Sequence, residues 1–280
     1  MTPDPPVDAS GNSLVRLTWL GHSTVLIELA GDRLLTDPLL LRHNGPLRRR
    51  GPRPHPSQWS APDAVLLSHL HHDHAELRSL RLVAGAPVLT SAGNVRWLRK
   101  HGLDGRPAED WTEVGAAAQV RLVTAVHHSR PMPHRPNDAH GHLVRSGGVT
   151  LWVAGDTSLY DDMVQLPRLA GVERLDVALV PVGGWGPRLS AGHLGPAEAA
   201  EACARTGARH ALPVHWGTLH APFMTLRSDW FHRPLDAFET ALAATAPDCQ
   251  VIRLQLGQTW SLPTDGTVPT DARLPIDGSR

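Results

Sequence analysis

The chain has 280 residues, enough for one large domain or two small ones, and its 41% hydrophobic and 19% charged content excludes a disordered chain. Lys+Arg and Asp+Glu are both 27, so the formal charge is zero, which argues against whole-molecule attraction to nucleic acid or an acidic membrane. Cys203 and Cys249 are the only cysteines and nothing in the sequence pairs them, which favours a reducing compartment. The first residues, Met-Thr-Pro-Asp-Pro-Pro, have neither the basic start nor the apolar stretch of a secretory signal, and no run reaches the length of a membrane span. The expectation is a soluble, cytoplasmic protein.

Residues 1–13 and 263–280, rich in Pro, Asp, Thr and Gly, read as loose tails around a single domain spanning 14–262. Three short strands are predicted first, Leu14 to Leu20, Thr24 to Leu29 and Arg33 to Thr36, joined by turns at Gly21-His22-Ser23 and Gly31-Asp32 and paired as antiparallel hairpins. Residues 41–60 have no periodicity and read as a long lid or binding loop. Arg48, Arg49, Arg50 and Arg53 in it could meet an anionic substrate or simply be solvated.

The run Ala64-Val65-Leu66-Leu67 reads as a buried strand and ends in Ser68-His69-Leu70-His71-His72-Asp73-His74. Helices are predicted over Glu76 to Val83 and Asn94 to His101, with a strand at Pro87 to Thr90 between them. Residues 119–126 alternate as a strand ending at His127-His128, and a hairpin is expected from His142–Arg145 and Val149–Ala154 around Gly147-Gly148. Its second strand ends at Gly155-Asp156-Thr157.

A helix is expected over Leu159 to Leu169, ended early by Pro167. A buried strand over Leu175 to Val180 and a helix over Pro196 to Thr206 follow. The strand His210 to Val214 contains Pro213, which suggests an edge or a bulge, and ends at His215-Trp216-Gly217. A helix over Pro234 to Ala243 and strands over Val251 to Leu256 and Gln258 to Leu262 complete the reading. This many apolar strands would be buried by two sheets covered by helices.

The cluster at 69–74 carries the chemistry. Side chains two apart on extended backbone share a face, so His69 and His71 point the same way, while Asp73 and His74 in the turn can aim at a second point. Two histidines for one metal and a carboxylate with a histidine for its neighbour is the simplest reading. His72 points away from His71 and is read as a residue that packs or supports a ligand from behind. His127, Asp156 and His215 each follow an apolar strand, so four strand ends bring ligand-type residues toward what could be one sheet edge.

The pattern His-x-His-x-Asp-His followed by a distant His, an Asp and a His resembles the metallo-β-lactamase superfamily, over roughly residues 14–260. Trp19-Leu20-Gly21-His22-Ser23-Thr24, Thr36-Asp37-Pro38, Ala154-Gly155-Asp156-Thr157, Pro181-Val182-Gly183-Gly184 and His215-Trp216-Gly217-Thr218 resemble its branch of N-acyl-phosphatidylethanolamine phospholipase D and ascorbate-6-phosphate lactonases. His193, ahead of the acidic start of the 196–206 helix, fits the phospholipase D side best.

The resemblance implies a four-layer αββα sandwich, two mixed β-sheets flanked by helices, and two divalent metal ions, zinc first, with manganese or iron as alternatives. His69, His71 and His127 would hold one ion, Asp73, His74 and His215 the other, and Asp156 would bridge them. His128 is the alternative to His127. The implied reaction is attack by a metal-bridging hydroxide on a phosphodiester or related ester, in a small-molecule or lipid-like anionic substrate. A lactonase acting on a phosphorylated sugar-acid lactone is the alternative, and a nucleic-acid processing protein of the same fold is the alternative of another class.

Asp73 could also orient the water, and His193 could contact substrate or protonate the leaving group, or could be only a helix-start residue. His22 and Asp37 could buttress the ligand loop or be ordinary turn residues. Arg188 could bind phosphate, although a surface arginine is the default, and Trp185 and Trp216 could wall a pocket or be core residues.

Overall fold

The computed structural model describes residues 15–127, 135, 138–186, 188–222 and 229–262. The expected tails and His128 lie outside these residues.

The chain begins as expected with β1 (Val15–Gly21), β2 (Thr24–Leu29) and β3 (Asp32–Thr36) in antiparallel register. Within the segment expected to be a loop, β4 (His43–Asn44) and β5 (Leu47–Arg49) form a small hairpin. Then β6 (Ala64–Leu66), α1 (Leu77–Leu82), β7 (Val88–Thr90), α2 (Ala92–Lys100) and β8 (Gly105–Pro107) extend the first sheet in parallel from β3.

The second sheet starts with the antiparallel β9 (Thr112–Val114), β10 (Ala118–Thr124), β11 (His140–Ser146) and β12 (Val149–Val153). After α3 (Leu166–Ala170), the strand β13 (Val177–Pro181), α4 (Pro196–Thr206) and β14 (His210–Val214) continue it in parallel. β15 (Leu219–His220) joins β5, α5 (Arg233–Thr245) leads to β16 (Gln250–Val251) beside β14, and β17 (Thr259–Ser261) returns to the far edge of β1. Both large sheets are mixed and seven-stranded, in the orders β17-β1-β2-β3-β6-β7-β8 and β16-β14-β13-β12-β11-β10-β9.

Alternation decides which layer each side chain enters. Leu17, Trp19, Val25, Ile27, Leu34 and Leu66 join Val120, Leu143, Leu151 and Leu179 of the second sheet in one buried cluster. Leu26, Leu35, Val65 and Leu67 point the other way, into a second cluster with Leu80 and Val83 at α1 and Trp97 and Leu98 of α2. On the opposite side Ala199, Cys203, Phe238 and Leu242 of α4 and α5 pack onto the second sheet. The layers are therefore helix, sheet, sheet, helix, the sandwich expected. Asp32 bonds the sheets together: its buried carboxylate accepts from the amides of Ala116, Ala117 and Ala118 at 2.7, 2.8 and 2.7 Å.

Four expectations change. The helix over 159–169 is a 3-10 turn, Asp161–Gln165, that runs into α3, and Pro167 starts α3 rather than ending it, because its missing N–H is no loss in a first turn. β14 is an inner strand and not an edge. Ala211 turns its carbonyl to Ile252 on the β16 side, and Pro213, two residues on, faces the same way without an N–H to offer. That explains why β16 stops at Val251 instead of running to Leu256. β8 and β9, finally, were not expected as strands.

Candidate metal centre

The loop after β6 is pinned before it turns. The Ser68 amide donates to Asp37 Oδ1 at 2.8 Å and its hydroxyl to Asp37 Oδ2 at 2.7 Å. The loop then closes on itself, with the amides of His74 and Ala75 bonding the His71 carbonyl, and Glu76 caps α1 by accepting from the Ser79 amide at 2.6 Å. Gly155, after β12, sits at φ +64 where an added Cβ would lie 2.8 Å from Ser68 Cβ, so only glycine lets the chain carrying Asp156 approach the loop. His215 follows β14 at φ +63 and its amide donates to the carbonyl of His22, in the β1–β2 turn.

His69, His71 and His127 come together, with ring centroids 4.5–4.9 Å apart. Asp73, His74, His215 and also His22 form a second group. Asp156 belongs to both: its Oδ2 lies 3.1 Å from His74 Nε2, 3.3 Å from His215 Nε2 and 3.9 Å from His69 Nε2. The seven residues singled out as ligands are thus contiguous in space, and His69 and His71 face one point while Asp73 and His74 face another. His72 is exposed and outside both groups, so it is not a packing residue.

The partners fix the tautomers. Ser68 spends its proton on Asp37, so His69 Nδ1, at 2.9 Å, donates to the Ser68 oxygen. His74 Nδ1 donates to Asp37 Oδ2 at 2.8 Å, His127 Nδ1 to the Gly192 carbonyl at 2.7 Å and His215 Nδ1 to the Gly183 carbonyl at 2.8 Å. In all four rings Nδ1 is therefore the engaged nitrogen and Nε2 is the one turned to the centre, free to bind a cation wherever it carries no proton. His74 Nε2 and His215 Nε2 face each other at 3.2 Å, and His127 Nε2 faces His71 Nδ1 at 3.1 Å. His69 Nε2 and Asp156 Oδ1 are buried with no hydrogen-bond partner among the described residues.

Opposed lone pairs repel unless something positive lies between them. Around a tetrahedral zinc with bonds of about 2.0–2.1 Å, neighbouring donors stand about 3.3 Å apart. The second group comes near that spacing, with His74 and His215 at 3.2 Å and Asp73 Oδ2 at 3.6 Å from His215 Nε2 and 4.0 Å from His74 Nε2. The donor set fits divalent cations.

Electrostatics agree. Burial pushes the His69 ring well below its ordinary pKa, His71 down to about 4 and His127 down, so the first group is a set of neutral imidazoles. Burial opposes charge on His74 and His215 too, but the carboxylates outweigh it. Asp156 and Asp37 hold His74 well above its ordinary value, and Asp156 with Asp73 lifts His215 to about 9. Burial would raise Asp73 and Asp156, yet the surrounding histidines hold both well below the usual carboxylate range. Without a cation, protons on His74 and His215 do the work of one.

Other candidates separate clearly. His193 Nε2 lies 3.1 Å from Asp156 Oδ2, and its Nδ1 is 3.1 Å from both the hydroxyl and the carbonyl of Ser190. His22 and Asp37 are not ordinary turn residues, since His22 Nε2 is 3.1 Å from Asp73 Oδ2 and Asp37 holds both Ser68 and His74. Arg49 does not face a substrate: it is buried, donating to the carbonyls of Pro52, Leu39 and Leu20, and burial lowers it to about 10. Arg50 lies over the Phe231 ring, and Arg48, Arg53 and Arg188 are exposed. Trp216 is buried and stacks on Trp19 at 5.0 Å, whereas Trp185 is exposed. Ser68, Gly183 and Gly192 were missed. Two of them act through a carbonyl, which leaves no signal in a side-chain pattern.

Comparison with known proteins agrees with this geometry. Residues 32–216 match the beta-lactamase superfamily domain. An N-acyl-phosphatidylethanolamine-hydrolyzing phospholipase D of Caenorhabditis elegans is 26% identical over 87% of this chain and 74% of its own. A metal-dependent hydrolase of Nitratidesulfovibrio vulgaris is 30% identical over 88% of this chain and 95% of its own. Among solved structures, a metallo hydrolase from the archaeon Ignicoccus hospitalis superposes with a TM-score of 0.68 at 20% identity, over 89% of this chain and 98% of its own. With the matched domain spanning most of both sheets and every strand-end donor in place, the chain belongs to the beta-lactamase superfamily, in its metallo-β-lactamase fold.

Proposed function

We propose that this chain is a binuclear metal-dependent hydrolase that cleaves a phosphodiester or related ester in a small anionic or lipid-like substrate. The observation that carries the reading is the single buried carboxylate, Asp156, which lies between the two donor groups and keeps Oδ1 without a partner among the described residues, as His69 keeps Nε2. His69, His71 and His127 would hold one ion and Asp73, His74 and His215 the other, with Asp156 common to both; zinc suits the donors, with manganese or iron as alternatives. Two bound divalent ions at such a centre acidify water and neutralise charge on the leaving oxygen.

The chain's own groups do the rest. Asp37, Ser68, Gly183 and Gly192 lock the imidazoles in the tautomer that offers Nε2. Asp73 accepts a hydrogen bond from the attacking water and orients it. His193 has an acceptor within reach of each nitrogen, Ser190 O and Asp156 Oδ2, which fixes its ring at the centre, where it can pass a proton to the leaving oxygen. Exposed Trp185 and Leu189 lie on the loop that carries Gly192 and His193, where an apolar portion of substrate can rest. The phosphodiester assignment leans on the phospholipase D relative and on the local motifs around residues 181–218. A cytoplasmic setting fits two buried, unpaired cysteines. Among the described residues no helix is long and apolar enough to cross a membrane.

The test is turnover of a chromogenic phosphodiester by metal-loaded protein, in parallel with carboxylic esters and lactones. Metal-dependent phosphodiester cleavage that disappears in His71→Ala supports the reading. Cleavage of lactones alone would transfer the site to the lactonase alternative.

A further inference from the structure

His22 is an expensive residue for the place it occupies. It is fully buried in the β1–β2 turn at φ +52, in the left-handed region that most side chains avoid. Glycine or asparagine serves such a turn at less cost. Its Nδ1 is buried with no hydrogen-bond partner among the described residues, a further penalty. Every other atom that can bond is engaged at the centre. Its amide donates to Thr218 Oγ1 at 2.7 Å, and its carbonyl accepts from the His215 amide at 3.0 Å and from Trp19 Nε1 at 2.9 Å. Its ring lies against the His215 ring, centroids 3.9 Å apart at 36°, and its Nε2 is 3.1 Å from Asp73 Oδ2.

The direction of that last bond follows from chemistry. An ionised carboxylate only accepts, so His22 Nε2 carries the hydrogen and its lone pair is on Nδ1. A ring stacked on a neighbouring imidazole and donating to the carboxylate beside it is placed to hold those two groups rather than to bind a cation itself. We propose that His22 is a positioning residue for the second cation position. It fixes Asp73 through Nε2–H and His215 through ring contact and its carbonyl, two of the three donors that position would have besides Asp156, and it touches none of His69, His71 and His127. It therefore sets the affinity of one position and leaves the other alone. This rests on the two-position reading above.

The test is titration of metal-stripped protein with Zn²⁺ against a competing chelator and with Co²⁺ followed by its absorption spectrum, in wild type, His22→Gln and His22→Asn. Glutamine can bring an amide N–H close to the place of Nε2, and asparagine is too short. The expected result is two equivalents in wild type, a glutamine variant within about threefold of it, and an asparagine variant whose second equivalent weakens by about 10–100-fold while the first is unchanged. An asparagine variant that binds its second equivalent as wild type does would overturn the proposal. So would a glutamine variant as impaired as asparagine, which would mark His22 as a ligand. If the asparagine variant does not fold, as read by circular dichroism, wild type against glutamine decides: equal affinity supports the proposal and a tenfold loss sinks it. A wild-type chain taking up fewer than two equivalents would bring down the two-position reading itself, and this inference with it.

Discussion

Asp37→Asn isolates the role of tautomer control at the centre. Asp37 is 1% exposed and accepts three hydrogen bonds, from the Ser68 amide at 2.8 Å, the Ser68 hydroxyl at 2.7 Å and His74 Nδ1 at 2.8 Å. Asparagine matches its shape but has one acceptor oxygen. If that oxygen stays on the Ser68 amide, an NH₂ group replaces Oδ2 and points a hydrogen at His74 Nδ1. The ring must then carry its proton on Nε2, where it faces His215 Nε2 across 3.2 Å and blocks the lone pair a cation needs. Affinity for the second equivalent of metal should fall about 10–100-fold, or about 1.4–2.7 kcal/mol. The metal-free fold should lose about 3–5 kcal/mol, because the charge partner of a buried His74 is gone. Chelator-competition titration measures the first quantity and urea unfolding of stripped protein the second. A variant that keeps wild-type affinity at its second equivalent would refute the account of the site, whatever its stability.

Two further outcomes are expected. Asp32→Ala removes the acceptor of three amides from Ala116 to Ala118 and should lower the urea midpoint, by about 2–4 kcal/mol in stability, without changing metal stoichiometry. In stripped protein the folded pKa of His215, about 9, lies above its ordinary 6.5, and His74 is raised as well. The stability His215 supplies is thus fully present below pH 6.5 and lost as pH rises through about 9, and His74 acts in the same direction. Cation binding at pH 7 should displace a proton from each, read by calorimetry in buffers of differing ionisation enthalpy, and the share from His215 should fade above about pH 9. Binding at pH 7 without proton release would contradict the raised pKa values of this pair.

Much of the fold was legible because its strands are buried on both faces. Val25 to Ile27 and Ala64 to Leu67 send alternate side chains into different apolar layers, so they read as continuous apolar runs. Gly105-Arg106-Pro107 and Thr112-Glu113-Val114 were missed for the converse reason. They are edge strands held by backbone pairing, and their side chains carry no pattern. The donors at the centre were legible because each closes an apolar strand, and parallel neighbours deliver their ends to one side. Arg49 misled because charge in an aperiodic segment suggests exposure. Its guanidinium in fact replaces the sheet bonds that the chain around Leu20, Leu39 and Pro52 lacks. What Gly183 and Gly192 do was invisible, since a carbonyl's aim depends on the whole loop.

The two donor groups are completed at different distances along the chain. His69, His71 and His127 precede Asp156, and the other group waits for His215, yet each group takes residues from the loop after β6 in one sheet and from a strand end of the other. Neither pocket has its walls until the two halves of the molecule have found each other, so a cation that bridges them would report on their docking.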